Sequence, residues 1–194
     1  IHFTVSSEEG CLKIEAEGEN GHASTPWKGK NALTGLLALT ERLPLADSPQ
    51  LEKVKALNRL IPHGDWLGKN LGIAQKDELS GELTLAFSIL RITEEELSGE
   101  FDSRCPICAN EENTLKPAKA AMEKEGFVFS TESMSAPHHV SEDSEFVRTL
   151  LEAYEIYTGR KGGCVAIGGG TYVHDLKNGV AFGASMPETE NHMH

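Results

Sequence analysis

The feature that most constrains the fold is the order in which the spacing of apolar residues changes along residues 1–133. In CLKIEAEG, apolar and charged residues alternate, which predicts a half-buried strand. In GKNALTGLLALTERLP the apolar residues instead recur at helical spacing until Pro44 stops the pattern. Continued along the chain, these rules predict a strand at 11–18, a helix at 29–43, an insertion at 44–80, strands at 81–93 and 97–106, a helix at 113–126 and a strand at 127–133.

This βαββαβ order is that of a ferredoxin-like domain, in which a four-stranded antiparallel sheet carries two helices on one face. Residues 44–80, with a helical pattern of their own at 51–62, would be an insertion. In the second core helix, Pro117 falls about one turn in, where proline is best tolerated, and Gly126 is placed to end the helix. We therefore expect an α+β fold.

The pattern changes at about residue 134. SMSAPHHV resembles a linker, and a helix is predicted over 141–159, with Ser141 or Asp143 as N-cap and Gly159 at its end. Short apolar strands are predicted at 163–170 and 179–185, as in part of an α/β sheet. About sixty residues cannot bury both faces of such a sheet, so this segment is expected to be incomplete. Four apolar residues should share one face of its helix: Phe146, Leu150, Ala153 and Tyr157.

Charge and composition exclude several classes of protein. Thirty acidic against eighteen basic residues give a net charge of −12, and no basic stripe is present for a nucleic-acid partner. No apolar run approaches the ~20 residues of a membrane helix, and no signal peptide opens the chain. Four scattered cysteines do not make a disulfide framework, so we expect a reduced, cytoplasmic protein. The chain starts at Ile1 without an initiator methionine, which indicates a fragment of a longer protein.

His22, in the turn NGHASTPWKGKNA, is the first candidate for chemistry. A loop histidine commonly does no more than hydrogen-bond its own turn. A turn held between a strand and a helix could equally fix the imidazole as a donor to a developing oxyanion. The spacing of the residues does not decide between the two.

Three other groups also carry two interpretations each. Arg104 could pair with a surface acid or bind a carboxylate through both arms of its guanidinium group. Cys105 and Cys108 form C-x-x-C, a redox pair or half a zinc site, but without the further cysteines that would complete one. The glycine-rich GGGT, 168–171, is either a tight turn or an anion contact, and it lacks the pattern of a nucleotide-binding loop.

The histidines offer no complete metal site by spacing. His138 and His139 lie in the predicted linker, and His192 and His194 lie at the end of the chain. A zinc site needs three or four ligands, and no H-E-x-x-H or clustered acid and histidine pattern occurs.

Taken together, these motifs resemble those of PepV-type dipeptidases, members of the dinuclear-zinc metallopeptidases that include aminoacylase and glutamate carboxypeptidase. The resemblance rests on GHASTPWKGKNA, FDSRCP, SEDSEFVRTLLEAYEIYTG, AIGGGTYVHDLKNGVAFGASMP and the terminal HMH, in the family's order, and it spans nearly the whole chain. It implies that residues 1–133 form a ferredoxin-like lid domain. Residues 134–194 would be the returning, incomplete part of the catalytic domain, whose N-terminal half is missing here.

The resemblance also implies a role for each matching residue. His22 would stabilise the oxyanion, and Arg104 would hold the C-terminal carboxylate of the substrate. Gly169, Gly170 and Thr171 would contact the substrate, and His194, with His192 as the fallback, would be a zinc ligand. The complete enzyme would bind two zinc ions and cleave dipeptides by attack of metal-activated water. The other metal ligands and the general base have no counterpart here, so we expect this chain alone to be inactive.

Two rival hypotheses remain open from the sequence. The chain could be a non-catalytic ferredoxin-like module that binds or dimerises through a sheet edge. It could also be a thiol-redox protein that uses Cys105 and Cys108. The oligomeric state, a homodimer among the options, and the dipeptide preference are not determined by the sequence.

Overall fold

The computed structural model describes residues 1–183 and has an α+β fold, as predicted. The His22 turn contains a short 3₁₀ helix, Pro26–Lys28, and a π-helical turn, Glu111–Leu115, precedes the third helix. None of the helices within residues 1–183 is long and apolar enough to cross a membrane. The strands and helices are β1 His2–Glu8, β2 Cys11–Glu17, α1 Ala32–Thr40, α2 Pro49–Leu60, β3 Lys76–Asp77, β4 Gly81–Glu82, β5 Thr84–Ile92, β6 Leu97–Arg104, α3 Lys116–Lys124 and α4 Glu145–Thr158.

The strands pair as three separate two-stranded antiparallel sheets, β1–β2, β3–β4 and β5–β6. The predicted hairpin of β5 and β6 is confirmed, with Thr84 opposite Arg104 at one end and Ile92 opposite Leu97 at the other. The strand predicted at 11–18 is β2, but its partner is β1 rather than a strand of that hairpin. The residues described thus do not form the single four-stranded sheet of the ferredoxin-like prediction.

The hydrophobic core lies between β5 and helices α1, α2 and α3. Residues 44–80, predicted as an insertion, supply six of its twelve buried residues, so this segment is central to the core. The reason is that α2 turns one face inward, and the chain after it adds Leu71 and Ile73, which are almost fully buried. The six residues are Val54, Leu57, Leu60, Ile61, Leu71 and Ile73.

Side-chain oxygens cap α1, α2 and α4 at their N-termini. Asn31 accepts a hydrogen bond from Thr34 N in α1, and Ser48 accepts one from Leu51 N in α2. At α4 the cap is Ser144, which accepts from Val147 N, so the predicted caps Ser141 and Asp143 are wrong. Each such cap contributes about 1 kcal/mol of helix stability.

The strand predicted at 127–133 is absent, although its alternation is present. Phe127 and Phe129 pack against the core while Val128 between them is 96% exposed. Lys53 of α2 holds the start of this segment, because its Nζ donates to the carbonyl oxygens of Glu125 at 2.9 Å and Gly126 at 2.8 Å. Alternating burial therefore arises here without a neighbouring strand to complete a ladder.

Residues 134–183 contain α4 and otherwise irregular chain. Gly159 ends α4 in the left-handed conformation, as predicted, with φ of 67°. The predicted strand at 163–170 does not form, and residues 179–183 of the other are not in a strand. The predicted apolar face of α4 is only half right, because Leu150 and Ala153 are half-buried while Phe146 and Tyr157 are exposed. An apolar strand needs a sheet to join, and residues 134–183 do not provide one.

Candidate functional site

The loop that carries His22 is closed at its base. Glu19 N donates to Lys30 O at 3.1 Å, Lys30 N donates to Glu19 O at 2.8 Å, and the two side chains form an ion pair. The two arms approach so closely that a Cβ on Gly29 would lie 2.7 Å from Glu19 O. Gly29 thus allows the two arms of the loop to approach each other, and His22 lies in a loop whose two ends are fixed to each other.

The imidazole of His22 is oriented by Ser24. Ser24 N donates to Nδ1 at 3.2 Å, and Ser24 Oγ lies 2.8 Å from the same nitrogen. Since a backbone N–H can only donate, Nδ1 acts as an acceptor, and the neutral ring then carries its proton on Nε2. Thr25 N, which donates to His22 O at 2.8 Å, fixes the backbone of the turn. The Nε2–H is therefore the donor that a neutral His22 can offer to an oxyanion.

Two side chains attach this loop to β5. Thr84 Oγ1 donates to Ala23 O at 2.7 Å, and Asn31 Nδ2 donates to Phe87 O at 2.7 Å. The second contact falls where the β5–β6 register shifts between Phe87 and Ile89. Neither Thr84 nor Asn31 was among the predicted site residues, because their partners lie more than fifty residues away in the sequence.

Arg104 ends β6 directly opposite Thr84. Its Nη2 donates to Asp102 Oδ2 at 2.7 Å, as the surface-pair interpretation expected, although the arginine side chain is only 32% exposed. Its Nε is buried and has no hydrogen-bond partner among the residues described. A buried N–H without a partner is costly, so an acceptor bound at this atom would be stabilising.

The glycine-rich segment 168–171 reaches the same place through Gly168. A Cβ on Gly168 would lie 2.7 Å from Ser24 Cβ and 3.7 Å from Arg104 Cβ. Gly169 and Gly170, the predicted contacts, have nothing within 4 Å of such an atom, and Thr171 is exposed. The structure thus brings the His22 turn, Arg104 and Gly168 together, with Thr84 between the first two.

The cysteine pair has the character of a structural turn. Cys108 N donates to Asp77 Oδ2 at 3.2 Å, and Cys108 Sγ lies 3.6 Å from Gln75 Oε1. Burial raises the pKa of the Cys105 thiol above its usual range. A hydrogen bond with Ser103 acts in the opposite direction but is the smaller effect. A raised pKa disfavours the thiolate that redox exchange needs. Both cysteines are free thiols.

The histidines outside the loop do not assemble a metal site in the part of the chain that is described. His138 Nε2 is 2.7 Å from Gly179 O, and its ring lies 5.7 Å from that of His174. Within residues 1–183 no three His, Cys, Asp or Glu side chains are grouped so that they could hold a metal ion. His194, the predicted zinc ligand, and His192, its fallback, lie outside the described residues.

Comparison with known proteins gives relatives whose names agree with one another. The chain is 36% identical over 189 residues to a Bacillus subtilis protein named "Putative dipeptidase YtjP", and 29% identical to a Staphylococcus epidermidis protein named "Putative dipeptidase". Each match covers 96% of this chain but only 40% of the relative, so the chain spans well under half the length of the proteins it matches. No protein-family model matches the chain.

Proposed function

We propose that this chain is part of a longer dipeptidase that hydrolyses short peptides with a free C-terminal carboxylate. The observation that carries the proposal is the meeting of the His22 turn, Arg104 and Gly168, which are distant in sequence and close in space. The dipeptidase names of the relatives and the 40% of their length that the chain spans support it from outside the structure.

His22 and Arg104 would bind the scissile carbonyl and the terminal carboxylate, which lie on either side of the C-terminal residue of the substrate. His22 would donate its Nε2–H to the oxygen of the scissile carbonyl, where negative charge develops in the transition state. Arg104 would bind the terminal carboxylate, which would satisfy the buried Nε and share the guanidinium group with Asp102. The backbone of 168–171 would line the same space, with Gly169, Gly170 and Thr171 next to the residue that touches Ser24.

We also propose that the complete enzyme depends on zinc and holds two ions. Residues 1–183 do not fit a zinc ion, since they contain no suitable group of ligands. The metal would therefore be bound by residues outside them, with His194 of this chain as the proposed ligand and His192 as the fallback. Zinc supplies activated water in such enzymes.

The proposal extends to the organisation of the protein. Residues 1–133 would be a lid domain, and residues 134–194 would pack into a catalytic domain completed by the missing N-terminal half. The exposure of apolar side chains between 134 and 183 supports this arrangement, because it leaves a surface for that half to cover. Among them are Ile156, Tyr157, Val165, Ile167, Tyr172 and Leu176.

Steady-state kinetics of the full-length protein with a dipeptide substrate tests the proposal. His22→Ala should lower kcat by about 100-fold to 1,000-fold, the usual loss for one oxyanion donor, with KM little changed. Arg104→Ala should raise KM by about tenfold to a hundredfold, since it removes charge-assisted hydrogen bonds to the carboxylate, and leave kcat closer to wild type.

Two matched variants control for the loss of a histidine and of an arginine. His139→Ala and Arg91→Ala change exposed residues that have no part in the site, so both should keep wild-type kinetics. An unchanged kcat in His22→Ala would remove the oxyanion role. An unchanged KM in Arg104→Ala would remove the carboxylate site, and a full-length protein that cleaves no dipeptide would overturn the proposal as a whole.

A further inference from the structure

Thr84 lies between the His22 turn and Arg104, the two parts of the candidate site. It is buried, with 4% of its surface exposed, and it opens β5 next to the His22 loop. Its hydroxyl donates to the carbonyl oxygen of Ala23, the residue that directly follows His22, at 2.7 Å. On the neighbouring strand its partner in register is Arg104. One residue thus contacts the turn of His22 through its side chain and faces Arg104 across the ladder.

The two sides of this connection differ in how firmly they are held. Arg104 belongs to a ladder that pairs Thr84–Ile92 with Leu97–Arg104, which fixes its backbone relative to β5. The His22 loop is not a strand of that sheet. It is closed on itself between Glu19 and Lys30 and reaches β5 through the hydrogen bonds of Thr84 and Asn31.

Of these two hydrogen bonds, the one made by Thr84 lies nearer to His22 in the chain. Asn31 lies at the far end of the loop, where it also caps α1, so its bond to Phe87 O fixes the exit of the loop. Ala23 lies beside the histidine, and Ser24, which holds the imidazole, follows it. Without the Thr84 hydroxyl, Ala23 O would lose this hydrogen bond to β5, and we expect the turn that carries the imidazole to be held less firmly relative to Arg104.

We infer that Thr84 is a positioning residue that sets the separation between the His22 imidazole and the Arg104 guanidinium group. This rests on the proposed function. In a dipeptide, one α-amino acid residue separates the scissile carbonyl from the terminal carboxylate, so a fixed separation selects peptides with one such residue after the scissile bond. A C-terminal β-alanine adds one methylene to this span and is expected to fit the wild-type site poorly.

The test combines hydrogen exchange with substrate length in the full-length protein. Thr84→Val keeps the shape of the side chain and removes the hydroxyl, whereas Thr84→Ser keeps the hydroxyl. By mass spectrometry, amide exchange in peptides from 19–31 should become about tenfold faster in Thr84→Val and stay near wild type in Thr84→Ser. The preference for Ala-Ala over Ala-β-Ala in kcat/KM should fall about tenfold in Thr84→Val only.

Thr40→Val is the matched control, because Thr40 also donates to a backbone carbonyl, Leu36 O at 2.8 Å, but within α1. It should change neither readout. If Thr84→Val does not fold, Thr84→Ala against Thr84→Ser gives the same comparison of a side chain without and with the hydroxyl.

The outcomes separate this inference from the function on which it rests. If amide exchange in 19–31 is the same in Thr84→Val as in wild type, the attachment of the loop by Thr84 is overturned. If exchange is faster but the preference for Ala-Ala over Ala-β-Ala is unchanged, Thr84 is a structural residue and its positioning role is overturned. A wild-type protein without dipeptide hydrolysis overturns the proposed function, and this inference with it. Failure of the Thr84 variants alone, in a protein that does cleave dipeptides, overturns this inference only.

Discussion

At the scale of single residues, the glycines of 168–171 are not equivalent. Gly168 faces Ser24 and Arg104, whereas Gly169 and Gly170 face open space. A side chain at Gly168 would be forced into Ser24, and Ser24 orients the His22 ring through Nδ1. The first glycine is therefore the position where a methyl group would disturb the site.

We expect Gly168→Ala to lower kcat/KM for a dipeptide about tenfold in the full-length protein. The added methyl would lie 2.7 Å from Ser24 Cβ, so either Ser24 or residue 168 has to move, and small displacements of catalytic groups are costly. Gly163→Ala is the control and should stay within about twofold of wild type, because residue 163 lies outside the site and no atom lies near the new methyl. Equal activity in the two variants would contradict the placement of Gly168.

Residues whose partners are close in sequence were predictable, and those with distant partners were not. The turn around His22 could be predicted because the residues that form it, from Gly21 to Gly29, are adjacent. Thr84 could not, since it acts on a carbonyl 61 residues away, and a threonine in a strand pattern carries no signal of such a contact.

At the scale of elements, a polar cluster joins the turn before β4 to the turn after β6. Asp77 Oδ1 accepts hydrogen bonds from Leu79 N and Ser80 N, and Oδ2 accepts from Ser80 Oγ and Cys108 N. Ser80 Oγ in turn accepts from Ile107 N at 2.8 Å. These bonds, chiefly those from Ser80, hold the pKa of the Asp77 carboxyl well below its usual range.

This shift predicts an acid-sensitive contribution to stability. Because the folded pKa is depressed, the contribution of Asp77 is complete above the unfolded pKa of about 4 and is lost as the pH falls below it. Asp77→Asn, which cannot accept at the second position, should be less stable than wild type at pH 7. In urea denaturation, the difference in unfolding midpoint between Asp77→Asn and wild type should become smaller as the pH falls from 4 to 2.

Asp143→Asn controls for the removal of one negative charge from a chain of net charge −12. Asp143 is exposed, and its side chain is outside this cluster, so its variant should show no comparable pH dependence. A constant difference between Asp77→Asn and wild type at every pH would contradict the interpretation.

Elements with a strong local pattern were predicted correctly, and their assembly was not. The helices and the β5–β6 hairpin appear where their periodicity places them. The segment 127–133 has the alternation of a strand, but Lys53 fixes its first residues through side-chain hydrogen bonds. Alternation of apolar and polar residues predicts which side chains turn inward. A strand also needs the free edge of another strand to pair with, and no residue of this segment shows whether such an edge is present.

At the scale of the whole molecule, burial is uneven. The core is built by residues between 37 and 122, whereas within α4 only Val147 is buried, and Tyr157 is 89% exposed. The incompleteness of residues 134–194 stays a prediction from the sequence. The sequence did not predict that residues 44–80 would supply half of the buried core residues, because a helix inserted in a loop has the same sequence pattern whether it packs inward or outward.

The purified 194-residue chain should therefore show no zinc-dependent hydrolysis of dipeptides. Such hydrolysis needs a metal-activated water and a general base, and residues 1–183 contain no group of ligands for the metal. A sensitive assay with added zinc, beside the full-length protein as a positive control, measures this directly. Turnover by the 194-residue chain above the rate without protein would contradict the expectation.

The closed base of the His22 loop has a consequence for how such a protein can diversify. Since Glu19 and Lys30 lie side by side, the segment between them enters and leaves the domain at one point. Recombination or design can then exchange the whole segment for another of different length without separating the flanking strand and helix. The functional residues of the loop can thus be replaced while the fold of the domain stays the same.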